Sequence, residues 1–318
     1  MTKSLTTRCV CYCMLLTGAL LGCQTSSKKT IYDAAGWRAS DFFEDPKVIA
    51  LIGAIEANDP TTVKREIESG ANVNAIGVDG MTPLLWALVS KDPEVFRVLV
   101  EAGADPGVVV SSDFNTKGII AVGTTVAHLA AFHKRADFFM TLLENGLDPN
   151  LRGSLPQQVD GHPTLFDAIF AGDYLLGGRG ERVRERIEGL LSLGPNQEVL
   201  DEAAGRAIGA NKFEVAEALF KAGANPHTYT SSRGNRLHQI VDRVPHPIDR
   251  ERKEYDHLVE WLEEQGEDLE SARKDVERWH QQSRATFDYE AAAAVRRAEI
   301  EKMQAADKKA NAKQESSK

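Results

Sequence analysis

The chain has no cysteine beyond its first 23 residues, although it runs to 318 residues and holds four cysteines in all. A fold built from the remainder can contain neither a disulfide nor a cysteine-ligated metal, so packing alone must stabilise it. No apolar run after residue 23 reaches the roughly 20 residues that a membrane-spanning helix needs. Basic residues are the minority, 38 against 47 acidic ones, and the net charge of −9 argues against nucleic acid as a partner.

Motifs that carry chemistry are also missing. The chain has no Gly-x-Ser-x-Gly nucleophile turn and no Gly-rich phosphate loop. None of the eight histidines has the His-x-x-x-His spacing of a zinc site. The run Gly177-Gly178-Arg179-Gly180 lacks the third glycine and the preceding strand of a dinucleotide site, and indicates a flexible loop. We therefore expect no enzyme activity, no cofactor and no metal.

The N-terminus has the features of an export signal. Lys3 and Arg8 precede an apolar stretch from Cys9 to Leu21, without any acidic residue. This stretch is too short to span a bilayer as a helix, but it fits the apolar core of a cleaved signal. The alternative is a buried apolar helix that happens to carry cysteines.

The end of this segment, Leu20-Leu21-Gly22-Cys23, resembles a bacterial lipoprotein signal. Leu21 is bulkier than the small residue usual at its position. The resemblance implies that the Cys23 thiol is acylated and that Cys23 begins the mature protein, fixed to a membrane by its lipid. Because Gln24 rather than Asp follows, it further implies the periplasmic face of the outer membrane in a Gram-negative bacterium.

From Asp45 onward a pattern of two short helices followed by a glycine recurs. In the clearest copy, Thr82 is placed to cap the first helix and Pro83 to occupy its first position. Asp92-Pro93 repeats this arrangement for the second helix, and Gly103 is placed to end it in the left-handed conformation.

The same helix end, Gly-x-Asn or Gly-x-Asp, occurs six times at spacings of 33, 43, 48, 29 and 43 residues. The six glycines are Gly70, Gly103, Gly146, Gly194, Gly223 and Gly266. With the segments Gly80–Ala87 and Gly123–Ala130, this pattern resembles the ankyrin repeat and its Thr-Pro-Leu-His-x-Ala motif. Leu85 replaces the histidine in the first segment, whereas His128 retains it in the second. The resemblance implies that His128 is a buried structural residue.

The predicted fold is an all-α, ankyrin-type helical-hairpin solenoid with about six partly degenerate repeats and a C-terminal capping helix. Another helical-hairpin solenoid is the rival architecture. Trp86, Phe96, Phe138 and Phe220 are expected in the core, and Trp261 and Trp279 are expected to seal the last repeat. The predicted regions are a signal peptide at 1–22, a lipidated tether at 23–44, repeats at 45–266, a charged capping helix region at 267–304 and a disordered tail at 305–318.

Three insertions interrupt the repeat spacing, and insertions in solenoids map to loops that often bind partners. They span Val108–Val122, Gly172–Arg182 and Thr228–Arg236. The candidate partner-binding residues lie in these insertions and at one hairpin tip: Asp79, Met81, Asp113, Phe114, Arg179 and Tyr229.

The ankyrin resemblance implies a protein partner, and the lipoprotein resemblance places the encounter in the cell envelope. Anchored repeat proteins of this kind resemble immunity proteins that neutralise antibacterial toxins. We therefore expect a protein that blocks a periplasm-acting lipase or phospholipase effector of type VI secretion. The alternative is a periplasmic scaffold or stress-protective protein that binds an endogenous enzyme without inhibiting it.

Overall fold

The computed structural model describes residues 36–90, 92–114, 120–133, 135–154, 163–175, 181–229, 234–245 and 251–286. Cys23, Arg179, the signal peptide and the predicted tail lie outside these residues. The described part contains fourteen α-helices and a 3-10 turn at Val78–Gly80. The helices are α1 (Ala39–Phe42), α2 (Pro46–Glu56), α3 (Pro60–Glu68), α4 (Pro83–Ser90), α5 (Pro93–Glu101), α6 (Val126–Phe132), α7 (Asp137–Glu144), α8 (Leu165–Leu175), α9 (Glu181–Ser192), α10 (Gln197–Gly209), α11 (Phe213–Lys221), α12 (Arg236–Val241), α13 (Arg252–Glu264) and α14 (Leu269–Thr286).

Helices α2 to α13 form six consecutive helix pairs, which we call hairpins and which stack in chain order. The first helices of the hairpins (α2, α4, α6, α8, α10, α12) pack in one layer, and the second helices (α3, α5, α7, α9, α11, α13) pack in another. Helix α14 packs on both helices of the last hairpin. Each hairpin therefore buries its apolar face against its neighbours, as in a solenoid, and the predicted all-α class is confirmed.

Short polar side chains begin the helices as the sequence indicates. Thr82 Oγ1 accepts from the backbone N–H of Leu85 at 3.1 Å. Asp92 Oδ1 accepts from the N–H of Glu94 at 2.9 Å, and Pro93 occupies the first helical position. Because the first turn of a helix has no internal partners for its N–H groups, these side chains fix where each helix starts.

All six glycines of the repeated helix end have positive φ angles, between +70° and +112°. The Asn or Asp two residues later turns the chain. Asp105 Oδ1 accepts from Gly107 N at 2.7 Å, and Asn225 Oδ1 accepts from His227 N at 2.9 Å. In four copies the Gly-x-Asn/Asp pattern is thus a left-handed helix stop followed by a side-chain-closed turn, whereas Asn196 and Asp268 cap the next helix directly.

The predicted core aromatic residues are buried. Trp86, Phe96 and Phe138 have no exposed surface, and Phe220 is 6% exposed. At the C-terminal end, Trp279 lies against the His238 ring, with 4.9 Å between the ring centroids. Leu269, Ala272 and Val276 of α14 are buried as their helical spacing predicts, so α14 covers the end of the stack.

Residues 36–44 belong to the folded stack, which corrects the predicted tether at 23–44. Trp37 and Phe43 are buried, and the ring of Phe42 lies 5.6 Å from that of Trp86. These three aromatic side chains have an apolar surface that gains from leaving water. The N-terminal segment therefore covers the first end of the core.

Candidate functional site

Loops that join successive hairpins project from the side of the first-helix layer. We call them finger loops; they comprise residues 71–82, 104–125, 147–164 and 224–235, apart from the positions that the structure does not describe. Isolated antiparallel bridges close three of them, at Val109–Thr125, Arg152–Thr164 and Tyr229–Asn235. Each of these three loops thus has a single antiparallel bridge that joins its two sides.

The first three finger loops are hydrogen-bonded edge to edge. The N–H of Ser111 donates to the carbonyl of Asp79 at 2.9 Å, and the N–H of Ser154 donates to that of Gly123 at 2.6 Å. The approach is close, because a Cβ on Gly80 would lie 2.5 Å from the carbonyl oxygen of Val109. These bonds join the described parts of the three loops to one another.

At two of the steps an asparagine side chain connects one hairpin end to the next. Asn74 Nδ2 donates to the carbonyl of Gly103 at 2.9 Å, while its Oδ1 accepts from Asp105 N at 2.7 Å. Asn150 Oδ1 accepts from Asn196 N at 2.7 Å. The spacing of adjacent repeats is therefore fixed by polar contacts as well as by the core.

The step from the fourth to the fifth hairpin has no finger loop. After Gly194 the chain enters α10 almost at once, and Asn196 caps that helix through the N–H of Val199 at 3.0 Å. Arg152, from the preceding finger loop, pairs with Glu198 at 3.3 Å and Glu202 at 2.9 Å. The row of tips is interrupted here, and ion pairs take the place of loop contacts.

On the far side of this interruption, Asp201 supports the last finger loop. Its carboxylate accepts from Asn225 N at 2.6 Å and from Thr228 Oγ1 at 2.8 Å. Its carbonyl accepts from the guanidinium of Arg236 at 3.0 Å. Tyr229, next to this anchored threonine, is 79% exposed.

His128 has the structural role that the sequence predicts. Its Nδ1 lies 2.8 Å from Thr125 Oγ1, and its Nε2 lies 3.0 Å from the carbonyl oxygen of Pro163 in the next finger loop. Burial lowers the pKa of His128, against opposing contributions from the Pro163 carbonyl and the charge of Asp167. The imidazole thus connects two repeats.

Three of the candidate partner-binding side chains are accessible. Asp79, Asp113 and Tyr229 are exposed. Asp79 and Asp113 lie on adjacent finger loops, since the N–H of Ser111 bonds to Asp79. Tyr229 lies on the last finger loop, beyond the interruption, so these three residues do not form one cluster.

Met81 and Phe114 are not available to a partner, which corrects both predictions. The Met81 side chain has no exposed surface, because the bond from Gly77 N to the Met81 carbonyl closes a turn that directs it into the core. Phe114 is 5% exposed, and its ring lies 5.8 Å from that of Trp37 and from that of Phe42. Its carbonyl accepts from the Trp37 indole at 2.9 Å. Cys23 and Arg179 lie outside the described residues.

Three exposed apolar residues of the finger loops were not identified from the sequence as candidates for partner binding. Ile76, Val78 and Val109 are 66%, 54% and 40% exposed on adjacent finger loops. Apolar residues within a segment otherwise typical of a polar turn were the signal that could have found them.

The described residues contain no group of three His, Cys, Asp or Glu side chains that could hold a metal ion. Within that same part of the chain, every helix is too short or too polar to cross a membrane. The finger loops offer a partner exposed apolar side chains, carboxylates and backbone groups.

Comparisons with known proteins agree with this architecture. Residues 51–153 match the family model for ankyrin repeats, in three copies. The chain is 32% identical to the mitochondrial disaggregase of Bos taurus over 143 residues, which cover 45% of this chain and 18% of that protein. It is 35% identical to the E3 ubiquitin-protein ligase KEG of Arabidopsis thaliana over 80 residues, 25% of this chain and 4% of that one. The chain thus spans less than a fifth of these relatives.

Among solved structures, the crystal structure of the ankyrin repeat domain of Bcl-3, a unique member of the IkappaB protein family, is similar to this chain. The likeness covers 69% of this chain and 86% of that one, with a TM-score of 0.47 and 22% identity. The described part of the chain is an all-α helical solenoid whose residues 51–153 match ankyrin repeats, and such repeats indicate a protein–protein interaction module.

Proposed function

We propose that this protein is a lipid-anchored immunity protein of the bacterial envelope. In this proposal it binds a periplasm-acting toxin, a lipase or phospholipase effector of type VI secretion, and covers the mouth of the toxin's active site. The combination of an ankyrin stack with the signal ending at Cys23 carries the proposal. A binding module fixed to the envelope by lipid is placed where such a toxin acts.

The interaction surface supports inhibition by steric blocking. Backbone hydrogen bonds hold the first three finger loops together, so the surface is set before the partner arrives. A preformed surface loses little conformational entropy on binding. A broad, stiff face can cover an active-site entrance without inserting a side chain into it.

The anchor is tested by labelling cells with a radioactive or alkyne-bearing palmitate. We expect the wild-type protein to carry label and to sediment with outer membranes. Cys23→Ala should carry no label and accumulate as the uncleaved precursor. An unlabelled wild-type protein would overturn the anchored part of the proposal and leave the binding module intact.

Inhibition is tested by co-expression with a toxic lipase or phospholipase encoded beside this gene, directed to the periplasm. We expect survival to be restored and the purified toxin's lipid hydrolysis to fall when a one-to-one amount of the lipid-free protein is added. A stable complex whose lipid hydrolysis is unchanged would contradict inhibition and indicate a scaffold instead. No adjacent toxin gene, or no rescue, would count against the immunity function.

A further inference from the structure

We propose that Ile76, Val78 and Val109 form a docking site for a partner segment that combines apolar side chains with lysine or arginine. We call these three residues the tip surface. The proposal rests on the proposed protein-binding function and deepens it, since it names where contact is made and what chemistry the partner supplies.

The three residues of the tip surface lie on two adjacent finger loops. The structure has five large apolar residues that are exposed within its described part, and three of them are Ile76, Val78 and Val109. The closeness of Gly80 to the Val109 carbonyl, 2.5 Å from a Cβ placed there, brings the two loops together. A single exposed apolar residue is ordinary, but three of them on adjacent, closely packed loops favour an interaction site.

A cluster of four aromatic rings packs beside these loops. The rings of Trp37, Phe42, Trp86 and Phe114 pack with centroids 5.2 to 5.9 Å apart. The indole of Trp37 also bonds to the Phe114 carbonyl in the second finger loop. These contacts join the N-terminal segment to the second finger loop, and the approach of Gly77 to the Phe42 carbonyl joins it to the first, so the backbone that carries the tip surface is held by packing. Such a preformed patch binds without the cost of ordering a loop.

Acidic residues predominate in the described segments next to the tip surface. Asp79 lies next to Val78 and is exposed, and the N-terminal segment touches the same loop, because a Cβ on Gly77 would lie 2.5 Å from the Phe42 carbonyl. Residues 36–44, 72–82 and 105–114 contain five acidic residues and one basic residue. These are Asp41, Glu44, Asp79, Asp105 and Asp113, with Arg38 as the basic one. An apolar centre inside an acidic border fits a partner with an apolar centre and a basic border.

The same charge disfavours two other occupants. A second copy of this chain would bring one acidic border against another, which costs electrostatic energy. An anionic lipid surface attracts basic residues and repels acidic ones, so a direct membrane contact at the tips is also disfavoured. A basic, apolar polypeptide segment is the remaining fit.

The test uses a phage-displayed library of random peptides, selected against the lipid-free full chain. We expect the enriched peptides to combine large apolar residues with Lys or Arg, and their affinity to fall as salt is raised. For a synthetic enriched peptide, Ile76→Ser with Val78→Ser should weaken binding by at least about tenfold, because two apolar contacts are lost. Asp79→Asn should weaken it by a smaller factor, since Asn also tolerates the positive φ of 57° at this position.

Val244→Ser is the matched control, because Val244 is 51% exposed but lies away from the finger loops at the end of α12. Its binding should equal that of the wild type, and helix content should be unchanged in all variants. The proposal is overturned by enriched peptides that are acidic, by binding insensitive to the double substitution, or by a concentration-dependent dimer that the double substitution abolishes. Toxin rescue that survives the double substitution would overturn the docking site while leaving the immunity function standing.

Discussion

Replacing Phe114 tests whether this side chain packs in the core or contacts a partner. Loss of a buried packing residue lowers the free energy of unfolding, whereas loss of an exposed partner-binding residue leaves it nearly unchanged. Phe114 is 5% exposed, and edge-to-face ring contacts join it to Trp37 and Phe42 at 5.8 Å. Truncating a buried phenylalanine to alanine costs about 3 to 5 kcal/mol, ring contacts included. The bond from the Trp37 indole goes to the Phe114 backbone and persists in the variant. We therefore expect Phe114→Ala to cost about 3 kcal/mol.

The backbone at Phe114 adds a second test. Its φ is +49°, in the left-handed region, where a side chain costs about 1 kcal/mol and glycine costs nothing. Glycine is ordinarily worse than alanine by about 0.5 to 1 kcal/mol because it loses more entropy on folding. At this position the usual stability advantage of alanine over glycine should vanish or reverse. Phe114→Gly should therefore be at least as stable as Phe114→Ala.

Urea denaturation followed by circular dichroism and tryptophan fluorescence measures both effects. Tyr229→Ala is the matched control, because Tyr229 is also an aromatic residue of an insertion but is 79% exposed. It should stay within about 0.5 kcal/mol of the wild type. If Phe114→Ala lowers the free energy of unfolding as little as Tyr229→Ala does, the reasoning from burial is refuted. If Phe114→Gly is clearly less stable than Phe114→Ala, the reasoning from backbone geometry is refuted.

Three further predictions concern the helix ends and one buried histidine. Gly146→Ala should destabilise the stack by about 1 kcal/mol, because φ is +79° at this position. Gly53→Ala within α2 should instead stabilise the stack by about 0.5 to 1 kcal/mol, because alanine loses less conformational entropy in a helix. No atom lies within 4 Å of either new Cβ, so the difference between the two variants in urea denaturation reports the effect of backbone conformation alone. Asp92→Ala should cost about 1 kcal/mol in the same assay, since it removes the cap of α5, and Asp92→Asn should restore most of it. Because burial lowers the pKa of His128 below its ordinary 6.5, the unfolded state binds the proton more readily, and stability falls as the pH drops below 6.5. Between pH 7.5 and 5.5 the wild type should therefore lose more unfolding free energy than His128→Asn, by at most about 1.4 kcal/mol, and equal losses would contradict a buried neutral imidazole.

Local chemistry made most of the fold predictable. The proline after Thr82 or Asp92 and the glycine before each Asn or Asp fix helix ends within a few residues, so sequence spacing was enough to find them. The buried position of His128 followed from its place in the repeat motif. The step without a finger loop also has a signal in the sequence, because Gly194 and Gly223 are only 29 residues apart, less than a full repeat.

Long-range contacts made the candidate site harder to predict. Phe114 has a core to enter only because the N-terminal segment folds back, and its bond with Trp37 spans 77 positions in the sequence. No local pattern signals that return, and the same segment was interpreted as a tether. The prediction that Met81 is exposed failed for a local reason. The chain reverses at Asp79 and Gly80, with φ angles of +57° and +80°, and the Met81 side chain then points inward. Exposure at the tips depends on such turns rather than on residue type.

The abrupt entry into α10 after Gly194 has a practical consequence. Glu198 at this step is 73% exposed, so the row of tips is open to solvent where a loop is omitted. A short peptide spliced between Gly194 and Pro195 would enter at an exposed position, beside the bond from Asn196 N to Asn150 Oδ1 that it has to leave intact. This junction is therefore the place to attach an epitope or a fluorescent reporter for following the protein in living cells.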